Sequence, residues 1–359
     1  MIKVISDINE LKEIRDYWSF LYEEDDNCTP FQSFDYIFIS WNRFCQKGNS
    51  LFVILFCQNQ EKSPRAIFPF CIDSKKCLRF INEDHSDYQT ALIRKSDKSN
   101  LKMYEEIFEF IREQSFIHRI CLNHIRHDDL LLHYLGHVSV YAHLYGTESY
   151  SYLQIVSGQN GGHFIDSLHH LTAKERNRLK NIEKKADGMT FKLISKTDTE
   201  YPEEDVNTLV KKMIDNGIRS EEYFTEALKG FLKDLYLSGV LKMGLLYHDN
   251  ELGSASFFYQ GKNGLYIQWI IVYSDKRYNL QAKLKIMNSV YECGGGIFNF
   301  GRGTYAYKIQ HFRPIIQNLF CVDIPFRRKA RVMLMLESLK DIMKKIRYNI
   351  KQKLRIPGH

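Results

Sequence analysis

The sequence predicts an α/β protein built from two tandem copies of one mixed-sheet unit, followed by a basic helical tail. Two observations carry this prediction: both halves show the same order of helix and strand patterns, and both contain consecutive strand patterns with no helix between them. Parallel strands need long crossover connections, so strands joined by short turns indicate a partly antiparallel sheet. The 359 residues suffice for two ordinary domains.

Composition narrows the class of protein. Hydrophobic residues make up 44% and charged residues 26% of the chain, which is typical of a globular protein. The eight cysteines are scattered without a CxxC pair, and the sequence shows neither a secretory signal nor an apolar run long enough to span a membrane. We therefore expect a cytoplasmic protein with reduced thiols.

The first half begins with a short strand and an amphipathic helix that carries Leu11, Ile14, Trp18 and Leu21 on one face. A second helix is predicted over residues 33–45. The remaining patterns predict strands at 51–57, 66–72, 78–81 and 88–93, a helix at 101–113, a strand at 117–122, a helix at 128–135, and strands at 138–144 and 152–156.

The second half repeats that order after a glycine-rich linker at 157–162. The patterns predict a basic helix at 168–185, a strand at 189–195, helices at 203–215 and 221–237, strands at 240–248, 253–260 and 265–273, a helix at 279–292, a strand at 297–300, a short helix near 305–311 and a strand at 319–323. We place the two domains at 1–157 and 163–325, with a tail at 326–359.

Positive charge is concentrated in the tail. Residues 326–359 contain 11 Lys or Arg and two acids, whereas the whole chain has a net charge of +7. The body is therefore not basic, and we predict no DNA partner. Apolar residues in 327–355 recur at helical spacing, which fits a docked terminal helix, an interfacial helix on an anionic membrane, or a contact with nucleic acid. We favour docking with some electrostatic role.

Four segments carry a resemblance to a known family. They are Thr29-Pro30-Phe31-Gln32-Ser33 with Trp41; Ser86-Asp87-Tyr88; the basic helix with AKERNRLKNIEKK; and Phe298-Asn299-Phe300-Gly301-Arg302-Gly303 followed by Tyr307-Lys308 and Phe312. In this order they resemble the CelD-like branch of the GNAT (N-acetyltransferase) superfamily, a branch associated with polysaccharide synthesis. The chain is more distantly similar to Fem-type aminoacyltransferases, which also carry two GNAT domains. Asn299 and Phe312 depart from the family's Asp and Trp.

The resemblance implies a donor site in the second domain. GNAT folds bind the coenzyme A pyrophosphate with backbone N–H groups at the start of the third helix, where the helix dipole favours an anion. The corresponding segment consists of Arg277, Tyr278, Asn279, Leu280, Gln281 and Ala282. Leu280 replaces the family's central glycine, so an ordinary helix start capped by Asn279 is the competing interpretation. The first domain has no glycine in its equivalent loop, and we expect it to shape the acceptor cleft.

The resemblance also implies the remaining site residues. Lys308 would stabilise negative charge in the transition state, with Tyr305 and Tyr307 beside it; the alternative is a surface lysine on a short helix. Asp87, Tyr88, Trp269 and Arg302 are the candidate substrate contacts, although Asp87 and Tyr88 also fit a turn before an edge strand. We predict no metal site, because the histidines between 118 and 143 lack a ligand motif.

These features predict an enzyme that transfers an acetyl or other acyl group from acyl-coenzyme A to an amine of a small molecule or saccharide. Two alternatives stay open: an aminoacyl-tRNA-dependent transferase of the Fem type, and a GNAT pair that has lost catalysis and binds ligands. Transfer RNA is a partner only under the first alternative. The tail would place the protein at the inner face of a membrane if it forms an interfacial helix.

Overall fold

The computed structural model describes residues 1–58, 63–137, 143–157, 163–186, 188–327, 330–332 and 336. The first half contains β1 (Ile2–Ile5), α1 (Ile8–Glu13), α2 (Arg15–Glu24), α3 (Phe34–Ser40), β2 (Asn49–Phe56), β3 (Ala66–Asp73), β4 (Cys77–Phe80), β5 (Leu92–Ile93), α4 (Leu101–Glu113), β6 (Arg119–Arg126), α5 (Leu130–His137) and β7 (His143–Val156). The second half contains α6 (Ala173–Lys184), β8 (Met189–Ile194), α7 (Glu203–Asp215), α8 (Glu226–Ser238), β9 (Leu241–His248), β10 (Glu251–Gln260), β11 (Leu265–Tyr273), α9 (Lys276–Glu292), β12 (Gly295–Arg302), α10 (Ala306–Phe312) and β13 (Ile315–Pro325).

The described strands form one mixed sheet that runs through both halves. Its order is β1-β2-β3-β4-β6-β13-β7-β12-β11-β10-β9-β8, and β5 pairs with β3. Most neighbours are antiparallel, whereas β4 with β6 and β11 with β12 are parallel. The two parallel pairs occupy equivalent places in the two halves, as a duplicated mixed-sheet unit requires. The predicted fold class is confirmed.

The last strands of the two halves are exchanged at the centre of the sheet. β13 lies between β6 and β7, with Leu319 opposite Arg126 on one side and Ile316 opposite Ser151 on the other. β7 in turn pairs with β12 of the second half. The sheet therefore crosses the proposed domain limits without a break, and the limits 1–157 and 163–325 stay predictions.

The three largest clusters of buried apolar side chains pack the helices against the two faces of the sheet. One core is shared by both halves and contains Trp18, Tyr36, Phe231, Tyr236 and Tyr259 among its fully buried rings. On the opposite face, α4 and α5 cover the first half and α9 covers the second. Each buried aromatic or aliphatic side chain of this size contributes about 1.5–3 kcal/mol. The shared core fixes the two halves relative to each other.

Four predicted elements are divided, shortened or merged in the structure. The first amphipathic helix is two helices, α1 and α2, which meet at Ile14. The predicted strand 88–93 is a strand only at Leu92–Ile93, because its first residues enter an irregular buried segment. The strand patterns 138–144 and 152–156 belong, where they are described, to the single strand β7, whose polar middle is paired with β13.

The predicted tail helix 327–355 lies outside the described residues except for 327, 330–332 and 336. In that short part Ala330 is buried, whereas Val332 and Leu336 are exposed. Among the helices that the structure describes, none is long and apolar enough to cross a membrane.

Candidate active site

The sheet opens between β11 and β12. These parallel strands pair only from Leu265 with Ile297 to Ile267 with Asn299, although both continue beyond that point. Just after the last pair, the register between β10 and β11 shifts at Trp269, as in a β-bulge. Strand pairing otherwise closes a sheet, so the unpaired ends leave room for a ligand.

A cavity of about 880 Å³ occupies this opening. β11 lines it with Gln268, Trp269 and Tyr273, and β12 lines it with Phe300 and the loop that follows. The first half contributes charged and polar side chains from two segments, Asp84, His85, Asp87, Glu148 and Ser149, and the connection between α7 and α8 contributes Arg219 and Tyr223. The cavity is therefore built by both halves of the chain.

Asp87 and Arg302 form an ion pair in the cavity wall. Arg302 Nε donates to Asp87 Oδ1 at 3.0 Å, and the Arg302 backbone N–H donates to Oδ2 at 3.3 Å. Burial raises the pKa of Asp87, and the Arg302 guanidinium opposes that rise. Arg302 also donates to Nε2 of His124 at 2.6 Å; burial and the guanidinium lower the pKa of His124 to about 4, so this ring accepts as a neutral imidazole.

Gly301 is required beneath this ion pair. Its φ is +70°, in the left-handed region that favours glycine. A Cβ at this position would lie 2.6 Å from Asp87 Oδ2 and 2.9 Å from the Gln268 carbonyl oxygen. The Gly-Arg-Gly segment of the sequence motif is thus the place where β12 passes closely under the carboxylate of Asp87.

Tyr88 lies behind the cavity wall, although the sequence suggested that it contacts a substrate. Its hydroxyl is buried and donates to Asn299 Oδ1 at 2.7 Å. The same oxygen accepts the Gly301 backbone N–H at 2.8 Å. Asn299 therefore holds the β12 turn in place. Tyr88 supports that turn and is not among the residues that line the cavity.

Lys308 lines the cavity from α10, but its ammonium group is held by backbone. Its Nζ donates to the carbonyl oxygens of Gly303 at 2.7 Å, Phe300 at 2.8 Å and Arg302 at 3.1 Å, with Gly301 at 3.4 Å. It also lies 5.0 Å from the centroid of the Tyr305 ring. Burial lowers the pKa of Lys308 to about 8, against a smaller opposite effect of Asp87. The side chain is buried, so the surface-lysine alternative is wrong.

Lys283 is a second buried lysine at the cavity, and the sequence reasoning missed it. Its Nζ donates to Asn279 Oδ1 one helical turn away and lies 5.1 Å from the centroid of the Tyr307 ring. Burial, reinforced by Lys308, lowers the pKa of Lys283 to about 7. The available signal was a lysine at helical spacing from the apolar residues Ile286, Met287 and Val290.

The segment predicted as a donor-binding loop is helix. α9 begins at Lys276 and is capped by Asp275, whose carboxylate accepts the Arg277 N–H at 2.8 Å. Asn279 is therefore inside the first turns and is not the cap. Of the six residues, Asn279 lines the cavity; Tyr278, Gln281 and Ala282 are buried, Leu280 is partly buried, and Arg277 extends over the Tyr278 ring.

The structure thus brings together seven predicted residues at one cavity and leaves the others outside. The seven are Asp87, Trp269, Asn279, Arg302, Tyr305, Tyr307 and Lys308. Besides Lys283, two residues missed by the sequence reasoning stand out. His85 packs against Phe44, with the ring centroids 4.2 Å apart and the ring planes inclined by 30°. Gln268 is 3% exposed, and neither Nε2 nor Oε1 of its amide has a hydrogen-bond partner in the part of the chain that the structure describes. Within the described residues, no group of three or more His, Cys, Asp or Glu is arranged to hold a metal ion.

Solved structures share this architecture. The C-terminal domain (DUF2156) of a putative lysylphosphatidylglycerol synthetase from Agrobacterium fabrum matches with a TM-score of 0.60 and 12% identity over 90% of this chain and 96% of that one. The structure of FemX matches with a TM-score of 0.57 and 10% identity over 89% of this chain and 96% of that one. A tandem GNAT protein from the clavulanic acid biosynthesis pathway matches with a TM-score of 0.51 and 10% identity over 91% of this chain and 99% of that one.

These likenesses define the class of fold: the chain has the tandem GNAT architecture. No protein-family model matches the sequence, and no curated protein sequence matches it either. The narrower resemblance to the CelD-like branch therefore stays a hypothesis that rests on the sequence motifs.

Proposed function

We propose that this protein is an acyltransferase that moves an acyl group from an activated ester or thioester to an amine. The observation that carries the proposal is the cavity at the split between β11 and β12, with acidic groups at one side and buried lysines at the other. The similar solved structures agree with transfer chemistry: one is named a putative lysylphosphatidylglycerol synthetase and another a tandem GNAT protein.

The acceptor amine would enter on the side of the first half. Asp84 and Glu148 line the cavity there and attract a cationic amine, while His85 lies beside them. Burial lowers the pKa of His85, so its imidazole is neutral near pH 7 and can accept a proton. The ammonium would lose one proton to His85 and become a neutral amine, whose nitrogen would bond to the acyl carbon. As the ester or thioester bond breaks, the second N–H proton would pass from that nitrogen to the leaving group, and His85 would release its proton to the solvent.

Negative charge on the acyl oxygen would be stabilised from the β11 side. Beyond Ile267 the edge of β11 that faces β12 lacks a strand partner, so backbone N–H groups there can donate to an oxyanion. Lys308 would contribute through its charge and by holding the carbonyls of the β12 turn, because those carbonyls already accept its protons. Tyr305 and Tyr307, whose ring planes are inclined by 8° to each other, would border the Lys308 side of the cavity.

The donor is proposed to be acetyl- or another acyl-coenzyme A, with one feature against it. At the start of α9 the Asp275 carboxylate accepts the Arg277 N–H that a pyrophosphate would use. An anion held at this position repels a second one. This feature favours a second candidate, an aminoacyl-tRNA donor, because its reacting end need not place a pyrophosphate on that helix.

Donor binding tests the proposal. Thermal unfolding would be measured with acetyl-coenzyme A, longer acyl-coenzyme A and aminoacylated tRNA, since a ligand of the folded state raises Tm. The donor that stabilises the protein should then release its thiol or free tRNA only when amines such as amino sugars are added. If neither donor class binds, acyl transfer is excluded and the binding-module alternative remains.

Asp275→Ala separates the two donors. If coenzyme A binds at the start of α9, removing the carboxylate should strengthen its binding, whereas Lys174→Met on the exposed face of α6 should leave it unchanged. An aminoacyl-tRNA donor would respond to neither substitution in this way. The proposal also includes a saccharide acceptor, a cytoplasmic location and contact of the tail with an anionic membrane. Asp275→Ala does not test these parts.

A further inference from the structure

Lys283 is a buried cation without a carboxylate partner. The residue is 0% exposed, and within the described chain its Nζ donates to the neutral amide of Asn279 and forms no ion pair. An ammonium group has three N–H donors, and burying a charge without an opposite charge is strongly unfavourable. Lys283 therefore has donors to spare at a cavity.

The groups that face Lys283 add to the positive charge at this side of the cavity. From α10 come the Tyr307 ring and the ammonium of Lys308, and from β11 the cavity receives Gln268 and Tyr273. Lys308 repels Lys283, and the nearest carboxylate that acts on Lys308 is Asp87, already paired with Arg302. The side of the cavity between α9 and α10 thus carries positive charge that no described carboxylate neutralises by direct contact with Lys283.

Gln268 provides an independent sign of a missing ligand. Its side chain is almost completely buried at the cavity wall, and both Nε2 and Oε1 lack partners among the described residues. Leaving a buried amide without hydrogen-bond partners is unfavourable. Buried polar groups usually have partners, so an unpaired amide that lines a cavity indicates a polar ligand there.

We propose that Lys283 and Gln268 bind a compact oxyanion, a phosphate or carboxylate group of a ligand, inside the cavity. The ammonium supplies charge and two N–H donors, and the amide of Gln268 supplies a further N–H donor. This subsite lies on the cavity-facing side chains of α9 and β11, away from the backbone of the α9 start, where the Asp275 carboxylate sits.

Anion binding is coupled to proton uptake. In the empty cavity burial and Lys308 hold the pKa of Lys283 at about 7, so much of the amine is neutral above that pH. A bound oxyanion favours the ammonium and raises the pKa, and the protein therefore takes up a proton from the buffer on binding. An ordinary surface lysine is already protonated and takes up none.

Calorimetric titration with inorganic phosphate and, separately, acetate tests this subsite. The titrations are run at about pH 8, one unit above the pKa of Lys283, in buffers of different ionisation enthalpy, which gives the number of protons taken up. We expect proton uptake with at least one anion in the wild-type protein; the anion that binds more tightly shows whether the subsite suits phosphate or carboxylate.

Two variants and a control locate the effect. Lys283→Met should remove the part of the proton uptake that belongs to Lys283, leaving only what Lys308 with its pKa of about 8 takes up. It should also weaken anion binding about tenfold or more, through loss of a charge-assisted contact. Gln268→Leu should weaken binding and leave proton uptake intact, and Lys174→Met should change neither. Absence of proton uptake in the wild type, or unchanged anion binding in Lys283→Met, overturns the proposal. The titration uses no acyl donor. The anion subsite can therefore be refuted while the proposal of acyl transfer stands, and acyl transfer can be refuted while the anion subsite stands.

Discussion

Asp87 and Arg302 are 215 residues apart in the chain and form a buried ion pair, with Arg302 Nε donating to Asp87 Oδ1 at 3.0 Å. One residue comes from the first half and the other from the end of β12, so the pair fixes the two halves at the cavity. The charge of Asp87 is thereby committed to Arg302, and it is poorly placed to act as a free base.

Replacing Asp87 should destabilise the protein strongly. Asp87→Asn keeps the shape of the side chain but removes its charge, so that Arg302 retains, among the described carboxylates, only that of Glu148 at 3.8 Å. We expect a loss of roughly 3–5 kcal/mol in the free energy of unfolding. Arg15→Leu breaks the exposed pair with Asp35 and should cost about 1 kcal/mol or less. Urea unfolding measures both. Equal losses in the two variants would show that the buried pair is not special.

Gly301→Ala tests the close approach of β12 to Asp87. The substitution adds a Cβ 2.6 Å from the carboxylate oxygen at a φ of +70°. Gly217→Ala is the matched control, because its φ is +65° and a Cβ there meets nothing within 4 Å. We expect Gly217→Ala to lose about 1–2 kcal/mol from backbone strain alone, and Gly301→Ala to lose clearly more. Similar values would mean that Asp87 moves aside without loss.

The stability of the wild-type protein should depend on pH through Lys283. Its pKa falls to about 7 on folding, from an ordinary value near 10.5. Between these two pH values the unfolded chain holds a proton that the folded protein has released, so the free energy of unfolding rises with pH. Lys283 destabilises the folded state most below pH 7, and this destabilisation vanishes above about pH 10.5. Lys308 contributes with the same sign over a narrower range.

The comparison of wild type with Lys283→Met isolates this effect. The Tm difference between them should shift in favour of the wild type as pH rises from about 7 to 9, because methionine has no proton to lose. Lys174→Met should follow the wild type at every pH. A constant difference between wild type and Lys283→Met would show that Lys283 keeps an ordinary pKa in the folded protein.

The sequence predicted the element order because hydrophobic periodicity marks which face of a helix or strand is buried. It could not predict the exchange of β7 and β13, since periodicity does not specify which strand becomes the neighbour. The predicted site residues Trp269, Arg302 and Lys308 lie at one cavity in the structure. The importance of Lys283 was missed because it depends on the packing of α9 beside α10.

The helix start at Asp275 could have been recognised from sequence. Aspartate is a preferred N-cap residue, and Asp275 directly precedes the first residue of α9. The ion pair of Asp87 with Arg302 is different, because each residue lies in a separate motif and only the tertiary fold shows that their charges neutralise each other.

The last prediction concerns His85 as the base that accepts the proton of the acceptor amine. Its ring lines the cavity beside Asp84 and packs against the Phe44 ring. Because burial lowers the pKa of His85 below its ordinary 6.5, kcat/KM should stay constant near pH 7 and fall only as the pH drops below that value. His85→Gln keeps a polar side chain without a titrating base, and we expect turnover to fall by about 10²–10⁴-fold with loss of this acid limb. Unchanged Tm would show that the fold is intact. A variant that turns over at the wild-type rate, or that keeps the same pH dependence, would assign the proton transfer to another group of the cavity.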